Sequence, residues 1–534
     1  MRISIAYPPL PSDKGVPLLS QNRQFQWFTE PTYIYPVVPA YAATLLKGEG
    51  HQVTWDDGIA SEMSYGEWKK RLYAERPELV VIETKTPVVK RHWRVISELK
   101  EEMPGVRVAL VGDHVTALPL ESFQNSPADY VLTGGDYDFL LVNLADYLEG
   151  RAKELEPGVY YREGSLKIGG GPGKGEEKGG EVKNTGPFSL DKHDLNSLPF
   201  IDRDLTHWEL YAYKNGNFKY RPGTYTMAGR DCWWRRNGGC TFCAWTVLYP
   251  TYRVRRPELV VDEVESVVEK YGVREVFDDT GTFPVGKWLR DFANLMIERG
   301  LNERVRMGCN MRFGALKQED YELMKRAGFR FVLFGYESSN DSTLSRLNKG
   351  ITNAQQLEGV RMASKAGLEP HLTIMFGYPW ETKEEVMRSM EAASEMIKKG
   401  YVKTWQVTIV IPYPGTPLFE EAKRKGWLIT EDWDQYDMKR PVMRTKLTEE
   451  DVVEVTRKTY EVAFSPQYVI RRVLSIRDLD ELKYVVWGAR KMLGHVRDFS
   501  TAGKEGGGGR KEGGGKGGPA AGEAEGAGER EKKG

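Results

Sequence analysis

Apolar and polar residues alternate along the first 150 positions in a pattern that predicts short buried strands separated by amphipathic helices. Such alternation is typical of a parallel, doubly wound, Rossmann-like sheet, which we therefore predict for residues 1–150. The predicted strands are residues 2–7, 52–55, 79–82, 106–111 and 130–132, and the predicted helices are residues 41–47, 65–75, 93–102 and 139–148.

Ligands of such a sheet bind beyond the carboxyl ends of its strands. The loops expected there carry glycine or polar side chains, and they are residues 56–58, 84–87, 112–116 and 133–136. Together these loops predict a binding site along one edge of the sheet. Ordinary turn chemistry explains each loop taken alone equally well.

A connector over residues 151–222 separates this region from a second run of alternating strands and helices. Within it, residues 164–186 are rich in glycine, lysine and glutamate and predict a mobile loop. Residues 223–440 predict a partial (β/α)6 barrel of the TIM type, whose chemistry belongs on the loops after the strands. Its predicted strands are residues 224–227, 275–278, 306–309, 329–334, 371–376 and 405–410.

The last part of the chain has a helical pattern, followed by a segment that is poor in apolar residues. Residues 441–499 predict a helical region with a basic amphipathic stretch at 468–490, and residues 500–534 predict a disordered tail. The amphipathic stretch could contact a membrane surface, but a face buried in a helical bundle explains the same pattern better.

Composition restricts the possible functions of the protein more than its possible folds. The 534-residue chain is 40% hydrophobic, which is enough to build a sizeable core. Its 76 basic and 76 acidic residues give a formal net charge of +0, so we expect no nucleic-acid partner. The beginning of the chain lacks the layout of a secretory signal and cysteine is scarce, so we expect a cytoplasmic protein.

Three of the four cysteines fall in one segment directly after the first predicted barrel strand. Cys232 and Cys240 are separated by seven residues, and Cys240 and Cys243 by two. Three thiolates can ligate three irons of a [4Fe–4S] cluster and leave the fourth iron open. Zinc is the alternative, although no histidine or further cysteine lies nearby in sequence to complete its tetrahedral site. Cys309 reads as a small buried hydrophobe.

In this segment the sequence resembles the radical S-adenosylmethionine (SAM) superfamily, and specifically its cobalamin-binding class. The second cysteine spacing matches the family, whereas the family has three residues, not seven, between its first two cysteines. Phe242 resembles the aromatic residue that the family places beside the adenine of SAM. The resemblance covers residues 1–440 and implies a [4Fe–4S] cluster, SAM and cobalamin as cofactors.

Further motifs follow in the family's order along the predicted strands. Asp278 and Asp279 stand where the family contacts the methionyl amino group, although its usual Gly-Gly-Glu is absent. Glu337 resembles the glutamate of a Gly-Ile-Glu-Ser motif near the cofactor's polar groups, and Gly377 resembles a backbone contact for adenine. Arg312 could reach the SAM carboxylate in a bidentate contact. Helix capping or ion pairing explains these polar residues as well.

The resemblance also assigns three loops of the first domain to the corrin ring. Residues 112–117 resemble Gly-Gly-Pro-His-Ala-Thr, residues 134–136 resemble a Gly-Glu-Gly-Glu loop without its first glutamate, and residues 84–87 match a corrin-facing loop. No Asp-x-His-x-x-Gly motif is present, so we expect cobalamin to bind without a histidine ligand from the protein. The residues assigned to the corrin are Thr84, Thr86, Gly112, His114, Thr116, Gly134 and Asp136.

The reaction implied by the resemblance is radical chemistry on an unactivated carbon. A 5′-deoxyadenosyl radical would abstract hydrogen, and methylcobalamin would deliver a methyl group to the substrate radical. The alternative is radical rearrangement or carbon–carbon bond formation on a polar lipid head group, because residues 240–245 are similar to those of hopanoid-associated members. The expected partners are a small-molecule or lipid substrate and an electron donor such as ferredoxin or flavodoxin.

Two readings from other classes fit the sequence less well. A transfer-RNA methylthiotransferase would need additional cluster cysteines in its first domain, and none precedes Cys232. A non-catalytic cobalamin or iron–sulfur protein would not need the complete series of SAM motifs.

Overall fold

The computed structural model describes residues 1–17, 27–29, 31–164 and 180–502, without the side chains of residues 491–502. Within these ranges a seven-stranded sheet and a six-stranded sheet follow one another along the chain. The predicted fold class, a Rossmann-like sheet followed by a partial TIM-type barrel and carboxyl-terminal helices, is confirmed.

The elements are numbered in chain order. The strands are β1 (Arg2–Tyr7), β2 (Val16–Pro17), β3 (Trp27–Phe28), β4 (Gln52–Asp57), β5 (Leu79–Glu83), β6 (Arg107–Val111), β7 (Tyr130–Leu132), β8 (Val159–Arg162), β9 (Val182–Asn184), β10 (Gly223–Thr226), β11 (Gly229–Arg230), β12 (Arg253–Val254), β13 (Glu275–Asp278), β14 (Arg306–Met311), β15 (Phe329–Glu337), β16 (Glu369–Phe376) and β17 (Thr404–Ile409). The helices are α1 (Val37–Gly48), α2 (Tyr65–Glu75), α3 (Val89–Glu102), α4 (Asp113–Ala117), α5 (Pro119–Asn125), α6 (Tyr137–Leu148), α7 (Glu209–Ala212), α8 (Trp245–Leu248), α9 (Pro257–Tyr271), α10 (Lys287–Glu298), α11 (Leu301–Arg304), α12 (Gln318–Arg326), α13 (Asp341–Arg346), α14 (Asn353–Lys365), α15 (Lys383–Lys398), α16 (Pro417–Arg424), α17 (Glu449–Glu461), α18 (Pro466–Leu474) and α19 (Leu479–Ala502).

The first sheet has the strand order β4-β1-β5-β6-β7-β8-β9. Its strands run parallel from β4 to β7, and β8 and β9 are added antiparallel at one edge. Every residue of β5 is buried, because helices cover the parallel strands on both faces of the sheet. This burial on two faces explains why the sequence shows continuous apolar runs here.

The loop predicted over residues 164–186 ends earlier than expected. Val182–Asn184 forms strand β9, whose residues pair with β8, so the prediction of a loop is wrong for these three residues. Backbone pairing to an edge strand requires little apolar burial, which is why composition did not signal it. Residues 165–179 lie outside the described residues, as do residues 503–534 of the predicted tail.

The second sheet places its six strands in chain order, β10-β13-β14-β15-β16-β17, and every neighbouring pair is parallel. The carboxyl ends of all six strands therefore meet at one edge. The loops after these strands carry the cysteine segment and the other residues assigned to SAM. That edge is where barrel enzymes place their chemistry.

The opposite, amino-terminal end of the barrel strands is closed by a buried ionic network. Arg330 donates from Nε to Glu275 Oε1 at 2.9 Å and from Nη1 to Glu369 Oε2 at 2.6 Å. Lys219 Nζ lies 3.0 Å from Glu369 Oε1 and also pairs with Glu481 of α19. Helix α19 is thus fixed beneath the barrel, away from the cysteine loop.

This network predicts a specific loss of stability in acid. Although burial alone raises the pKa of Glu369, the neighbouring Arg330 and Lys219 lower it from 4.5 to about 2. A depressed carboxyl pKa contributes stability above the unfolded pKa, and that contribution is lost as pH falls toward the folded value. Between pH 6 and pH 3 we expect the difference in unfolding free energy between wild type and Glu369→Gln to shrink by about 2 kcal/mol. Urea denaturation of both proteins at each pH measures it, and a difference independent of pH would contradict the assignment.

The amphipathic stretch predicted over residues 468–490 forms two helices, α18 and the first half of α19. The expectation that its apolar face is buried in a bundle is wrong for much of that face. Tyr484 is buried against the barrel, whereas Val473, Leu474 and Leu479 are 60%, 75% and 71% exposed. The helical spacing of apolar residues identifies an amphipathic helix, but it does not show what covers the apolar side of that helix.

Candidate active site

The three clustered cysteines lie on one loop at the carboxyl end of the second sheet. Cys232 follows β11, and Cys240 and Cys243 precede α8. The Cys232 Sγ atom lies 3.0 Å from Thr282 Oγ1 in the loop after β13, which ties the first cysteine to a neighbouring strand end. None of the three forms a disulfide, and all three are half-buried. Among the described residues, no three His, Cys, Asp or Glu side chains form a group that could hold a single metal ion.

The additional residues between the first two cysteines form a short 3-10 turn, Trp233–Asn237. Trp234 donates from Nε1 to the Asn348 carbonyl at 2.6 Å, and Asn348 donates from Nδ2 to the Gly239 carbonyl at 2.8 Å. The guanidinium of Arg312 stacks over the Trp234 ring, 4.1 Å from its centroid. The long spacing therefore builds an aromatic support for Arg312 beside the cysteine loop.

A group of buried polar side chains surrounds Cys240. Arg312 donates from Nη1 to the Cys240 Sγ atom at 3.6 Å, and Glu337 Oε1 accepts from Lys349 Nζ at 3.0 Å. Arg312 Nε and Nη2, Glu337 Oε2 and the Tyr378 hydroxyl are buried without a hydrogen-bond partner among the described residues. Burial raises the pKa of the Cys240 thiol, and the charges of Lys349 and Arg312 oppose that rise. Unpaired buried donors and acceptors are costly, so this group is arranged for a polar ligand.

A bulge at the end of β15 aims Glu337 toward this group. The register of β15 against β16 shifts between Gly335 and Glu337, and Glu337 has a φ of 60°. A side chain at Gly335 would place its Cβ 2.5 Å from Glu337 Oε1 and would displace the Glu337 carboxylate from this position. Left-handed backbone at a non-glycine residue is strained and concentrates at functional sites.

The two aspartates assigned to SAM are engaged with the protein itself. Asp278 is buried, and its carboxylate accepts from the Ala228 N–H at 2.7 Å and from the Thr280 N–H at 3.0 Å. Burial raises the pKa of Asp278 to about 6. Asp279 Oδ1 lies 3.4 Å from Asn310 Nδ2. Asp278 therefore braces the backbone that leads into the cysteine loop.

Phe242 lies in the cysteine loop, and Gly377 lies at the carboxyl end of β16. Phe242 packs against the apolar cluster that contains Met375 and Tyr378. Gly377 directly follows β16 and has a φ of 92°, a conformation that side chains rarely adopt. Phe242 therefore packs against side chains that neighbour Gly377 in the chain.

At the edge of the first sheet, the loops assigned to the corrin are joined by hydrogen bonds. Thr86 Oγ1 lies 3.1 Å from His114 Nδ1, and Glu121 Oε2 lies 3.0 Å from His114 Nε2. Both ring nitrogens of His114 are thus engaged within the protein. Trp433, which precedes the carboxyl-terminal helices, donates to the other oxygen of Glu121 at 2.8 Å.

The same edge brings together the remaining small residues of the prediction. Thr116 donates from its hydroxyl to the Gly112 carbonyl at 2.7 Å and accepts from the Gly134 N–H at 3.0 Å. Thr84 Oγ1 lies 2.7 Å from Nδ1 of His92, a buried residue that the sequence did not single out. Gly112 has a φ of 118°, and a Cβ there would lie 2.4 Å from the Thr84 carbonyl oxygen. Three loops therefore form one continuous polar rim.

Asp136 is set apart from this rim because its carboxylate joins the two sheets. It lies 2.5 Å from Arg253 Nη2, 3.3 Å from His193 Nδ1 and 3.4 Å from Arg230 Nη1. Arg230 also pairs with Asp138 of α6 at 2.7 Å. Despite burial, these partners lower the pKa of Asp136. Its carboxylate is committed to an interdomain ion network, not to a ligand of the rim.

Sequence reasoning missed Lys349 and Arg230. No motif around Lys349 in the sequence indicates a site residue. Its contact with Glu337 arises from the bulge at the end of β15. Arg230 lies two residues before Cys232, but its partners lie more than 90 positions away. The one available signal was the pair of tryptophans in the long cysteine spacing, which suggested an added structure without revealing that it supports Arg312.

Comparison with known proteins identifies a matching family and several relatives. Residues 230–393 match the model of the radical SAM superfamily. An uncharacterized methyltransferase of Pyrococcus horikoshii is 28% identical over 84% of this chain and 90% of its own length. The anaerobic magnesium-protoporphyrin IX monomethyl ester cyclase of Cereibacter sphaeroides is 25% identical over 80% of this chain and 66% of its own.

Among solved structures, the chain resembles the radical SAM methyltransferase TsrM from Kitasatospora setae, determined with cobalamin and a [4Fe–4S] cluster bound. The TM-score is 0.61 at 15% identity, and the match covers 94% of this chain and 99% of that one. The likeness therefore extends over both sheets and shows a shared fold. The protein contains a domain of the radical SAM superfamily, preceded by a Rossmann-like sheet.

Proposed function

We propose that the protein is a cobalamin-dependent radical SAM methyltransferase that methylates an unactivated carbon of a small-molecule or lipid substrate. The observation that carries the proposal is the set of unpaired buried polar atoms beside Cys240. SAM presents an ammonium, which needs acceptors, and a carboxylate, which needs donors. Glu337 Oε2 is an acceptor for the ammonium, and Arg312 Nε and Nη2 are donors for the carboxylate.

The residues of the chain would hold the reactants in place. Cys232, Cys240 and Cys243 would ligate the cluster, and when bound it supplies one electron for cleavage of SAM, while cobalamin supplies a methyl carrier. Lys349 fixes the Glu337 carboxylate through its 3.0 Å contact and leaves the other oxygen, which would accept a hydrogen bond from the amino group of SAM. Holding reactants in one orientation is a large part of what such a site contributes.

Arg312 would connect the cluster to SAM. One nitrogen of its guanidinium already contacts Cys240 Sγ, and the opposite side is free for the carboxylate. The stacked Trp234 ring holds the guanidinium plane in that orientation. Phe242 and Gly377 would form the wall against which adenine packs.

Cobalamin would lie on the polar rim formed by Thr84, Thr86, Gly112, Thr116 and Gly134. Full-length likeness of fold to a structure that holds cobalamin supports this placement. Since both nitrogens of His114 are engaged with Thr86 and Glu121, we infer that His114 does not ligate cobalt.

Anaerobic reconstitution with iron, sulfide and hydroxocobalamin tests the function. With a reductant such as dithionite or flavodoxin, added SAM should yield 5′-deoxyadenosine, which reports radical formation, and S-adenosylhomocysteine, which reports methyl donation. Deoxyadenosine without S-adenosylhomocysteine would contradict methyl transfer and favour rearrangement or cyclisation. Neither product from protein with a confirmed cluster would overturn the proposal.

Arg312→Met should weaken SAM binding about 10- to 100-fold, because charge-assisted hydrogen bonds are worth about 1.5–3 kcal/mol. Equilibrium dialysis of SAM against cluster-loaded protein measures this, with iron content determined in parallel. Arg361→Met, which removes an arginine that is 56% exposed on α14, is the matched control and should bind SAM normally. Equal affinities for the Arg312 and Arg361 variants would exclude Arg312 as the carboxylate contact.

A further inference from the structure

The two carboxyl-terminal helices carry a concentration of exposed apolar side chains. Eight of the fifteen exposed large hydrophobic residues of the described chain lie between positions 464 and 486. We call this set the apolar patch, and its members are Phe464, Val469, Ile470, Val473, Leu474, Leu479, Leu482 and Val486. A concentration of this kind marks an interaction surface more often than a solvated face.

The orientation of these helices is fixed by contacts on their inner side. The Tyr468 ring of α18 lies 5.5 Å from the ring of Trp405, and the Tyr484 ring of α19 lies 5.7 Å from the Arg330 guanidinium. Arg472 joins the two helices through Glu481 at 3.5 Å. The apolar patch therefore faces outward because the opposite side of each helix is already packed.

A basic cleft adjoins the apolar patch. It has a volume of about 320 Å³, and its lining includes Leu474 of the patch together with Lys399, Lys403, Arg471 and Arg472. Arg471 donates to a backbone carbonyl, and Lys403 has no ion-pair partner among the described residues. Cationic side chains thus border the apolar surface directly.

The acidic residues of the same region neutralise only part of this charge. Glu395 pairs with Lys399 at 3.8 Å and Glu481 pairs with Arg472 at 3.5 Å, and Asp478 is exposed. Asp480 pairs with Arg274 at 2.7 Å, and Glu481 is shared between Lys219 and Arg472. Arg477, Lys483 and Arg490 are exposed and form no ion pair within the described part of the chain. Although the whole chain has a net charge of +0, its outer carboxyl-terminal face is positive.

Two other occupants of the surface fit less well. Residues 503–534 contain no Val, Ile, Leu, Met, Phe, Tyr or Trp, so that segment cannot bury the patch. A second copy of the chain would bring like charges together around a shared apolar centre. An anionic bilayer complements both features, since acyl chains accept the apolar side chains and phosphate groups accept the cations.

We propose that α18 and the first half of α19 dock the protein on the surface of a membrane that contains anionic lipids. None of the described helices has the length and hydropathy needed to cross a bilayer, so the contact is peripheral. Because α19 closes the amino-terminal end of the barrel strands, docking leaves the cysteine loop at the far end of the barrel. The inference does not depend on the proposed function.

Vesicle co-sedimentation of the full-length protein tests the proposal. We expect the protein to pellet with vesicles of phosphatidylcholine and phosphatidylglycerol, and much less with phosphatidylcholine alone or in 0.5 M salt. A Leu474→Glu/Leu479→Glu variant should lose at least about tenfold in vesicle affinity, because it places charge in the apolar patch. The matched control is Leu357→Glu/Ile429→Glu, which changes exposed apolar residues outside the patch and should bind as wild type.

Three outcomes would overturn the proposal. The first is equal pelleting with anionic vesicles, neutral vesicles and no vesicles. The second is equal loss of vesicle binding in the patch variant and its control. The third is a wild-type dimer by light scattering that the patch variant alone converts to monomer, which would assign the surface to a second copy. Thermal unfolding midpoints of both variants within about 2 °C of wild type establish that the comparison is between folded proteins.

Discussion

Replacing Cys240 with alanine is expected to reduce 5′-deoxyadenosine formation to the level seen without protein. The thiol lies at the centre of the polar group formed by Arg312, Glu337 and Lys349, so its loss removes one of three cluster ligands where SAM would bind. Two remaining thiols cannot hold three irons of a [4Fe–4S] cluster. Bound iron should therefore fall well below about four per chain in the variant.

Cys309→Ala is the matched control because it also removes a cysteine, but one that lies within β14. Cys309 is fully buried, and burial raises the pKa of its thiol well above the usual range, as expected of a packed hydrophobe. This variant should keep its iron and its deoxyadenosine yield, measured by chromatography after anaerobic reconstitution. Full activity in Cys240→Ala, or loss of iron in Cys309→Ala alone, would refute the ligand assignment.

Arg330→Met is expected to destabilise the protein by about 3–5 kcal/mol, the cost typical of removing one partner from a buried ionic group. Arg330 is 3% exposed and is shared by Glu275 and Glu369. Its removal leaves Glu275 with only its backbone partners and Glu369 with Lys219, at the point where α19 closes the barrel. Chemical denaturation followed by fluorescence measures the change.

The comparison for this variant is Arg290→Met on α10. Arg290 is 55% exposed on its side chain and lies 4.0 Å from Asp320, so its loss should cost no more than about 1 kcal/mol. If the two variants were equally stable, the network beneath the barrel would contribute no more than an ordinary surface pair.

Much of the fold could be predicted because buried parallel strands leave a strong local signal. β1 and β13 have the predicted bounds, since each is a run of residues buried by its neighbours. The clustering of three cysteines was equally easy to recognise, because they share one short segment. Both features are local in sequence, so both can be recognised before the fold is known.

The rest of the site depends on contacts between distant positions. Asp136 and Asp278 were assigned to ligands because their motifs resemble those of the family, yet their partners within the protein are set by tertiary packing. The pairing of Glu337 with Lys349 requires a bulge that no residue type announces. The outward apolar face of α18 was equally hidden, because periodicity cannot tell a packed face from an exposed one.

The ion network between the sheets has a consequence for any attempt to divide the molecule. Arg230 precedes the cysteine loop by one residue and is buried against Asp136 and Asp138 of the first domain. A fragment cut within the connector would leave Asp136 and Asp138 in one half and Arg230 and Arg253 in the other, so each half would lose the partners that neutralise these charges. The Rossmann-like half and the barrel half are therefore not independent units. A chimera that joins either half to a relative must keep these ion-pair partners on both sides of the junction.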